Sequence, residues 1–91
     1  MIRSFRSKAL RLFAEKGDSS RLPVANHRRV ARILALLNAA TKPDDLNLPG
    51  FRFHGLSSRP KRYAVDASGN YRVTYAWIEQ DAVDVDLEDY H

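Results

Sequence analysis

The feature that most constrains this chain is a pair of alternating stretches near its end. Tyr71-Arg72-Val73-Thr74-Tyr75-Ala76-Trp77-Ile78 is followed by a turn at Glu79-Gln80-Asp81 and then by Ala82 to Glu88. Both stretches have period 2, the repeat of a strand with one face buried. Tyr71, Val73, Tyr75 and Trp77 share one face; Val83, Val85 and Leu87 share the matching face of the second arm. The other faces carry Arg72 and Thr74, and Asp84, Asp86 and Glu88. Charges of that kind are costly to bury unless paired or wetted. After the second arm come three titratable side chains, Asp89, Tyr90 and His91.

A hairpin cannot stand alone, so the rest of the chain must cover it. Ninety-one residues suffice for a single domain, 1–91, with one modest core. Ile2 to Phe5 reads as a short edge strand. Ser7 caps a helix through Lys16, and Gly17 stands where a left-handed terminating residue belongs. Pro23 suits the first turn of a second helix running to about Ala40, with Val30, Ile33, Leu34 and Leu37 as its core stripe. His27, Arg28, Arg29 and Arg32 fall off that stripe, and His27 reads as solvated. Thr41 to Gly50, with Pro43 and Pro49, is a connector. Phe51-Arg52-Phe53-His54 alternates as a strand, Gly55 to Arg62 reads as a basic loop, and Tyr63 to Ala67 as another strand. The order is β-α-α-β-β-β-β. It predicts an α+β fold with two N-terminal helices packed on one face of a small, mostly antiparallel sheet.

Charge is divided along the chain. Residues 1–62 hold 14 Lys and Arg against 4 Asp and Glu, whereas residues 63–91 hold 1 against 7. A basic body suits a polyanionic partner such as nucleic acid, and equally a solvated basic surface. No apolar run is long enough to span a membrane, and Met1 to Phe5 lacks the apolar core of a signal peptide. With no cysteine there is no thiolate metal site or disulfide framework, which fits the cytoplasm. His27, His54 and His91 are too scattered to match a metal-ligand pattern, so no metal and no cofactor are expected.

The turn at Ser68-Gly69-Asn70 sets the sheet register. A three-residue loop there pairs Val65 with Val73 and Asp66 with Arg72. A similar turn at 79–81 puts Thr74 opposite Asp86 and Arg72 opposite Glu88. Cross-strand partners share a face. The uncovered face then collects Asp66, Arg72, Thr74, Asp84, Asp86 and Glu88, joined by Arg52 and His54 if the parity carries through. Two imidazoles and a guanidinium suit RNA cleavage without metal. One imidazole removes the 2′-hydroxyl proton, the oxygen attacks the neighbouring phosphate, and the other imidazole protonates the leaving oxygen. The bland alternative is the solvent side of a sheet.

The pattern as a whole resembles the HigB toxins of the RelE/ParE superfamily, the plasmid maintenance system killer proteins. The likeness rests on Met1-Ile2-Arg3-Ser4-Phe5, Phe13-Ala14-Glu15-Lys16-Gly17 and Leu37-Asn38-Ala39-Ala40-Thr41. It continues through Phe53-His54-Gly55-Leu56, Asn70-Tyr71-Arg72-Val73-Thr74-Tyr75 and Glu88-Asp89-Tyr90-His91. It implies a RelE-like fold and a cytoplasmic, metal-independent endoribonuclease that cuts mRNA in the 30S A site of a translating ribosome. It also implies neutralisation by a HigA-like helix-turn-helix antitoxin, which links the toxin to operator DNA indirectly. Carried over residue by residue, it implicates His54, Arg72, Asp89, Tyr90 and His91 in cleavage. His54 and His91 would be the acid–base pair, Arg72 the phosphate stabiliser, Asp89 the partner of His91, and Tyr90 the contact to the nucleotide. Members often read His-Pro-Leu-Lys-Gly where this chain has His54-Gly55-Leu56-Ser57-Ser58. Arg59, Lys61 and Arg62 are the candidates to replace that lysine, with Arg52 as a further RNA contact. The alternative within the superfamily is a toxin, or a degenerate toxin arising from the Ser57-Ser58 change, that acts by binding without RNA cleavage, as a gyrase poison or as an antitoxin or operator partner.

Overall fold

A computed structural model describes residues 1–89 of the chain. Helix α1 spans Lys8–Lys16 and α2 spans His27–Ala39; a short 3-10 helix follows at Pro43–Leu46. Four strands then form one antiparallel sheet in the order β1 (His54–Leu56), β2 (Arg62–Asp66), β3 (Tyr71–Ile78) and β4 (Asp81–Asp89). The architecture is α+β.

Local chemistry fixes the helix ends. The Ser7 hydroxyl accepts from the Leu10 N–H, satisfying one of the donors that a helix start leaves unpaired. Gly17, at φ 67°, closes α1 with its N–H directed to the carbonyls of Leu12 and Phe13. The second helix begins later than Pro23 suggests. Asn26 is the cap, its side chain accepting from the Arg29 N–H. A proline merely tolerates a first turn, whereas a capping side chain supplies a bond, and here the bond decides.

Leu10 of α1, Val30, Ile33, Leu34 and Leu37 of α2, and Val65, Val73, Tyr75, Ala82 and Val85 of the sheet share one buried cluster. Phe53, Tyr63 and Tyr75 stack in series on that side of the sheet, with centroids 5.9 and 5.8 Å apart. The Tyr75 hydroxyl donates to the Pro43 carbonyl at 2.9 Å, tying the 3-10 helix to β3. Arg29 pins the connector by donating to the carbonyls of Asp66 and Gly50 while its guanidinium lies over the Phe51 ring.

Two expected strands are cut short. Ile2 to Phe5 makes only two parallel bridges, Ile2 with Ala82 and Phe5 with Val85. Phe51 and Phe53 pack inward, but Arg52 between them has φ 52°, so the pleat does not continue and β1 starts at His54. Arg62 in turn belongs to β2, not to the preceding loop.

The register at the centre is as expected: Val65 pairs with Val73, Asp66 with Arg72, Thr74 with Asp86, and Arg72 with Glu88. The route to it differs. The turn holds two residues, since Ile78 pairs with Asp81, and Glu79 takes φ 58°. The resulting offset is cancelled between Thr74 and Ala76, where β4 carries a bulge. Asp84, at φ 50°, is the extra residue. The bulge moves Val83 onto the face opposite Val85, where it pairs with Ala76. Asp84 turns to the edge, its N–H donating to the Ser4 hydroxyl at 2.9 Å and its carboxylate 3.9 Å from Arg6. The same bulge interrupts the line of pairing that the N-terminal segment makes with β4, which leaves two bridges in place of a strand.

Candidate functional site

The face turned away from the shared cluster can be read row by row. His54, Ala64, Thr74 and Asp86 lie side by side on the four strands. Asp66, Arg72 and Glu88 form the next row. Leu56, Arg62, Ala76 and Val83 form the row on the other side. His54 and Arg72 are therefore on one face, two strands and one row apart. Strand spacing and rise put their backbones roughly 12 Å from each other.

His54 is exposed, with Nδ1 2.9 Å from the Arg52 carbonyl. Arg52 itself is exposed and makes an ion pair with Asp66 at 3.6 Å, which keeps it at the margin of the same face. Arg72 Nη2 is 4.0 Å from the Glu88 carboxylate. The carboxylates of this face thus sit beside its guanidiniums, as burial economics require.

The face is not bare. Arg62, Ala64, Thr74, Ala76 and Val83 on it are all buried. Arg62 lies along the sheet and donates from Nη2 to the Thr74 hydroxyl at 2.9 Å and to the Asp84 carbonyl at 2.8 Å. That carbonyl is one the bulge takes out of the ladder. The Thr74 hydroxyl donates in turn to the Glu88 carboxylate. Burial, then the charge of Arg6, loosen the hold of Arg62 on its proton; Glu88, Asp86 and Asp84 oppose them.

The expected site residues separate into groups. His54, Arg52 and Arg72 come together on one face. Arg62 shares that face, but the residue is only 7% exposed and its guanidinium is turned to Thr74 and the Asp84 carbonyl. It is a poor phosphate contact for that reason, contrary to the expectation of a loop arginine. Lys61 has the opposite parity. Its ammonium lies 5.9 Å from the Tyr63 ring centroid, on the far side of the sheet from His54. A Cβ at Gly55 would fall 2.7 Å from Lys61 Nζ, so the flexible end of that lysine would have to shift aside. Arg59 is exposed in the loop between β1 and β2. Asp89 ends β4 opposite Tyr71, so strand alternation puts it with Leu87 and not with Arg72. Tyr90 and His91 lie outside the described residues.

Sequence reasoning missed Thr74 and Glu88 as a linked pair, and missed the inward turn of Arg62. The signal was present: Arg62, Ala64 and Asp66 alternate as part of one strand. The basic, serine-rich composition of residues 57–61 hid its start.

Among the described residues no group of three or more His, Asp or Glu side chains is arranged to hold a metal ion. None of their helices is long and apolar enough to cross a membrane.

Comparison with known proteins gives two findings. A family model described as the RelE-like toxin of the type II toxin–antitoxin system HigB matches residues 3–91. The chain is also 34% identical over 92 residues to Endoribonuclease HigB of Proteus vulgaris, with both chains covered in full.

Proposed function

The chain belongs to the RelE-like HigB toxins of type II toxin–antitoxin systems, and on that premise we propose that it is an endoribonuclease that cleaves mRNA on the ribosome. Membership of a type II system implies a protein antitoxin. In our reading it is a HigA-like helix-turn-helix protein, through which the toxin reaches operator DNA.

The observation that carries the reading is the shared face of His54 and Arg72. A phosphodiester laid between them meets an imidazole at one end and a guanidinium at the other. In the proposed reaction one imidazole takes the proton of the 2′-hydroxyl, and the freed oxygen bonds to phosphorus. The bond from phosphorus to the 5′-oxygen breaks, and that oxygen takes a proton from the second imidazole. The products are a 2′,3′-cyclic phosphate and a 5′-hydroxyl. Arg72 offsets the charge that builds on the phosphoryl oxygens. His54 and His91 form the acid–base pair, Asp89 orients His91, and Tyr90 holds the nucleotide. Arg52 and Arg59, both exposed, add backbone contacts. With His54 and Arg52 exposed and few groups fixed around the phosphate, the alignment of RNA is left to the ribosome, and cleavage of free RNA should be poor.

The test is to express the wild-type chain, His54→Ala, Arg72→Ala and His91→Ala, and to map mRNA 5′ ends. Cuts inside codons with the wild type, lost in all three variants, support the reading. Growth arrest with intact mRNA and altered DNA supercoiling would replace it with a gyrase-type poison.

A further inference from the structure

We propose that Thr74, buried beneath the site, is a positioning residue: it holds Glu88 away from Arg72, and so sets the charge that Arg72 presents to the phosphate. The inference rests on the role given to Arg72 above and adds residues that the acid–base chemistry does not use.

The direction of every bond in the line follows from donor chemistry. A guanidinium only donates. The Thr74 hydroxyl accepts from Arg62 Nη2, and its own proton then goes to Glu88 Oε2. The other Glu88 oxygen stands 4.0 Å from Arg72 Nη2, an ion-pair separation and not a hydrogen bond. Glu88 is thus shared between two cations on opposite sides. One reaches it through a buried hydroxyl, the other through space.

The line is expensive to maintain. Arg62 is nearly buried, yet among the described residues its Nε and Nη1 have no hydrogen-bond partner. Leaving such groups dry and unpaired costs stability, and an apolar side chain would fill the space without that cost. Capping the bulge carbonyl of Asp84 needs one donor, not a whole guanidinium. Polarising the Thr74 hydroxyl so that it grips a carboxylate is what the positive charge adds.

Without the hydroxyl, Glu88 is free to close on Arg72. A carboxylate and a guanidinium on adjacent strands readily form a two-point pair. That pair would neutralise the cation the phosphate needs. Thr74→Val keeps the size and β-branching of the side chain and removes both hydroxyl bonds, the one accepted from Arg62 and the one donated to Glu88.

The experiment measures single-turnover cleavage of mRNA on programmed ribosomes by Thr74→Val, Thr74→Ser, Thr74→Val with Glu88→Ala, and Arg72→Ala with and without Thr74→Val. The inference expects Thr74→Val to lower the maximal rate roughly tenfold or more, with half-saturation near the wild-type value. Thr74→Ser should restore the rate, and so should removing the Glu88 carboxylate. In the Arg72→Ala background, Thr74→Val should have no further effect on the residual rate. A thermal scan of each variant identifies loss of fold. An equal additional loss in the Arg72→Ala background, failure of Thr74→Ser to rescue, or full activity in Thr74→Val overturns the inference. Full activity in Arg72→Ala would instead overturn the site assignment itself.

Discussion

Replacing Arg62 by Met should cost the fold almost nothing. The side chain makes two hydrogen bonds, both from Nη2, to Thr74 at 2.9 Å and to the Asp84 carbonyl at 2.8 Å. Bonds from a charged donor are worth about 1.5–3 kcal/mol each. Against them stand Nε and Nη1, buried and unpaired among the described residues, each costing about 1–3 kcal/mol. Arg6 adds repulsion, while Glu88, Asp86 and Asp84 add attraction. Methionine has no donors to strand, and its flexible, unbranched chain can occupy the space of the arginine stem. The opposing contributions nearly cancel, so the expected loss is under about 1 kcal/mol. Truncating a buried apolar side chain, by comparison, costs about 2–5 kcal/mol. Urea unfolding followed by the fluorescence of Trp77 measures the difference, with an unchanged denaturant slope confirming a comparable transition. A loss above about 3 kcal/mol would refute the reasoning, because it would make the guanidinium a net contributor to folding.

Gly17→Ala should lose about 1 kcal/mol, since φ 67° disfavours any side chain and nothing lies within 4 Å of the new Cβ to clash or pack. Thermal unfolding reads this directly, and a neutral result would mean that α1 ends differently in solution. Tyr75→Phe should lose about 1 kcal/mol by removing the bond to the Pro43 carbonyl, seen as faster hydrogen exchange around residues 43–46. Unchanged exchange there would contradict the tie. Asp81 gives a pH signature. Its bond with Arg3, helped by the N-terminal ammonium, holds its carboxyl below the ordinary 3.8. A carboxylate with a depressed folded pKa contributes stability above its unfolded pKa and loses it as pH falls through the folded value. The gap in melting temperature between wild type and Asp81→Asn should therefore be open near neutrality and close below about pH 4. A gap that widens on acidification would reverse the assignment.

How much of this was legible in the sequence differs from element to element. The Ser7 cap, the Gly17 stop and the α2 stripe are local signals, and local chemistry decided each of them. The pairing of Asp66 with Arg72 followed from a turn length and strict alternation, whereas that of Arg72 with Glu88 holds because a shorter turn and the bulge offset each other. The start of α2 was misread because Pro23 is a permissive residue and Asn26 a binding one. The bulge was invisible for a different reason. Asp84 takes its left-handed conformation where its N–H meets the Ser4 hydroxyl and its carboxylate faces Arg6, and both partners lie some eighty positions away in the chain. The partners of Arg62 depend on that bulge, so a loop arginine was the natural expectation. His54 and Arg72 were brought to one face by parity alone, carried through the regular pairings of β1 with β2 and β2 with β3.

The central claim concerns a phosphodiester cut between His54 and Arg72 by the RNA's own hydroxyl. Its most direct test is the chemistry of the new ends. Purified toxin, ribosomes programmed with a defined mRNA and mass spectrometry of both fragments are sufficient. The account predicts a 2′,3′-cyclic phosphate upstream and a 5′-hydroxyl downstream, with both formed far more slowly by Arg72→Ala. A 5′-phosphate on the downstream fragment would contradict it, since water rather than the 2′-oxygen would then have attacked.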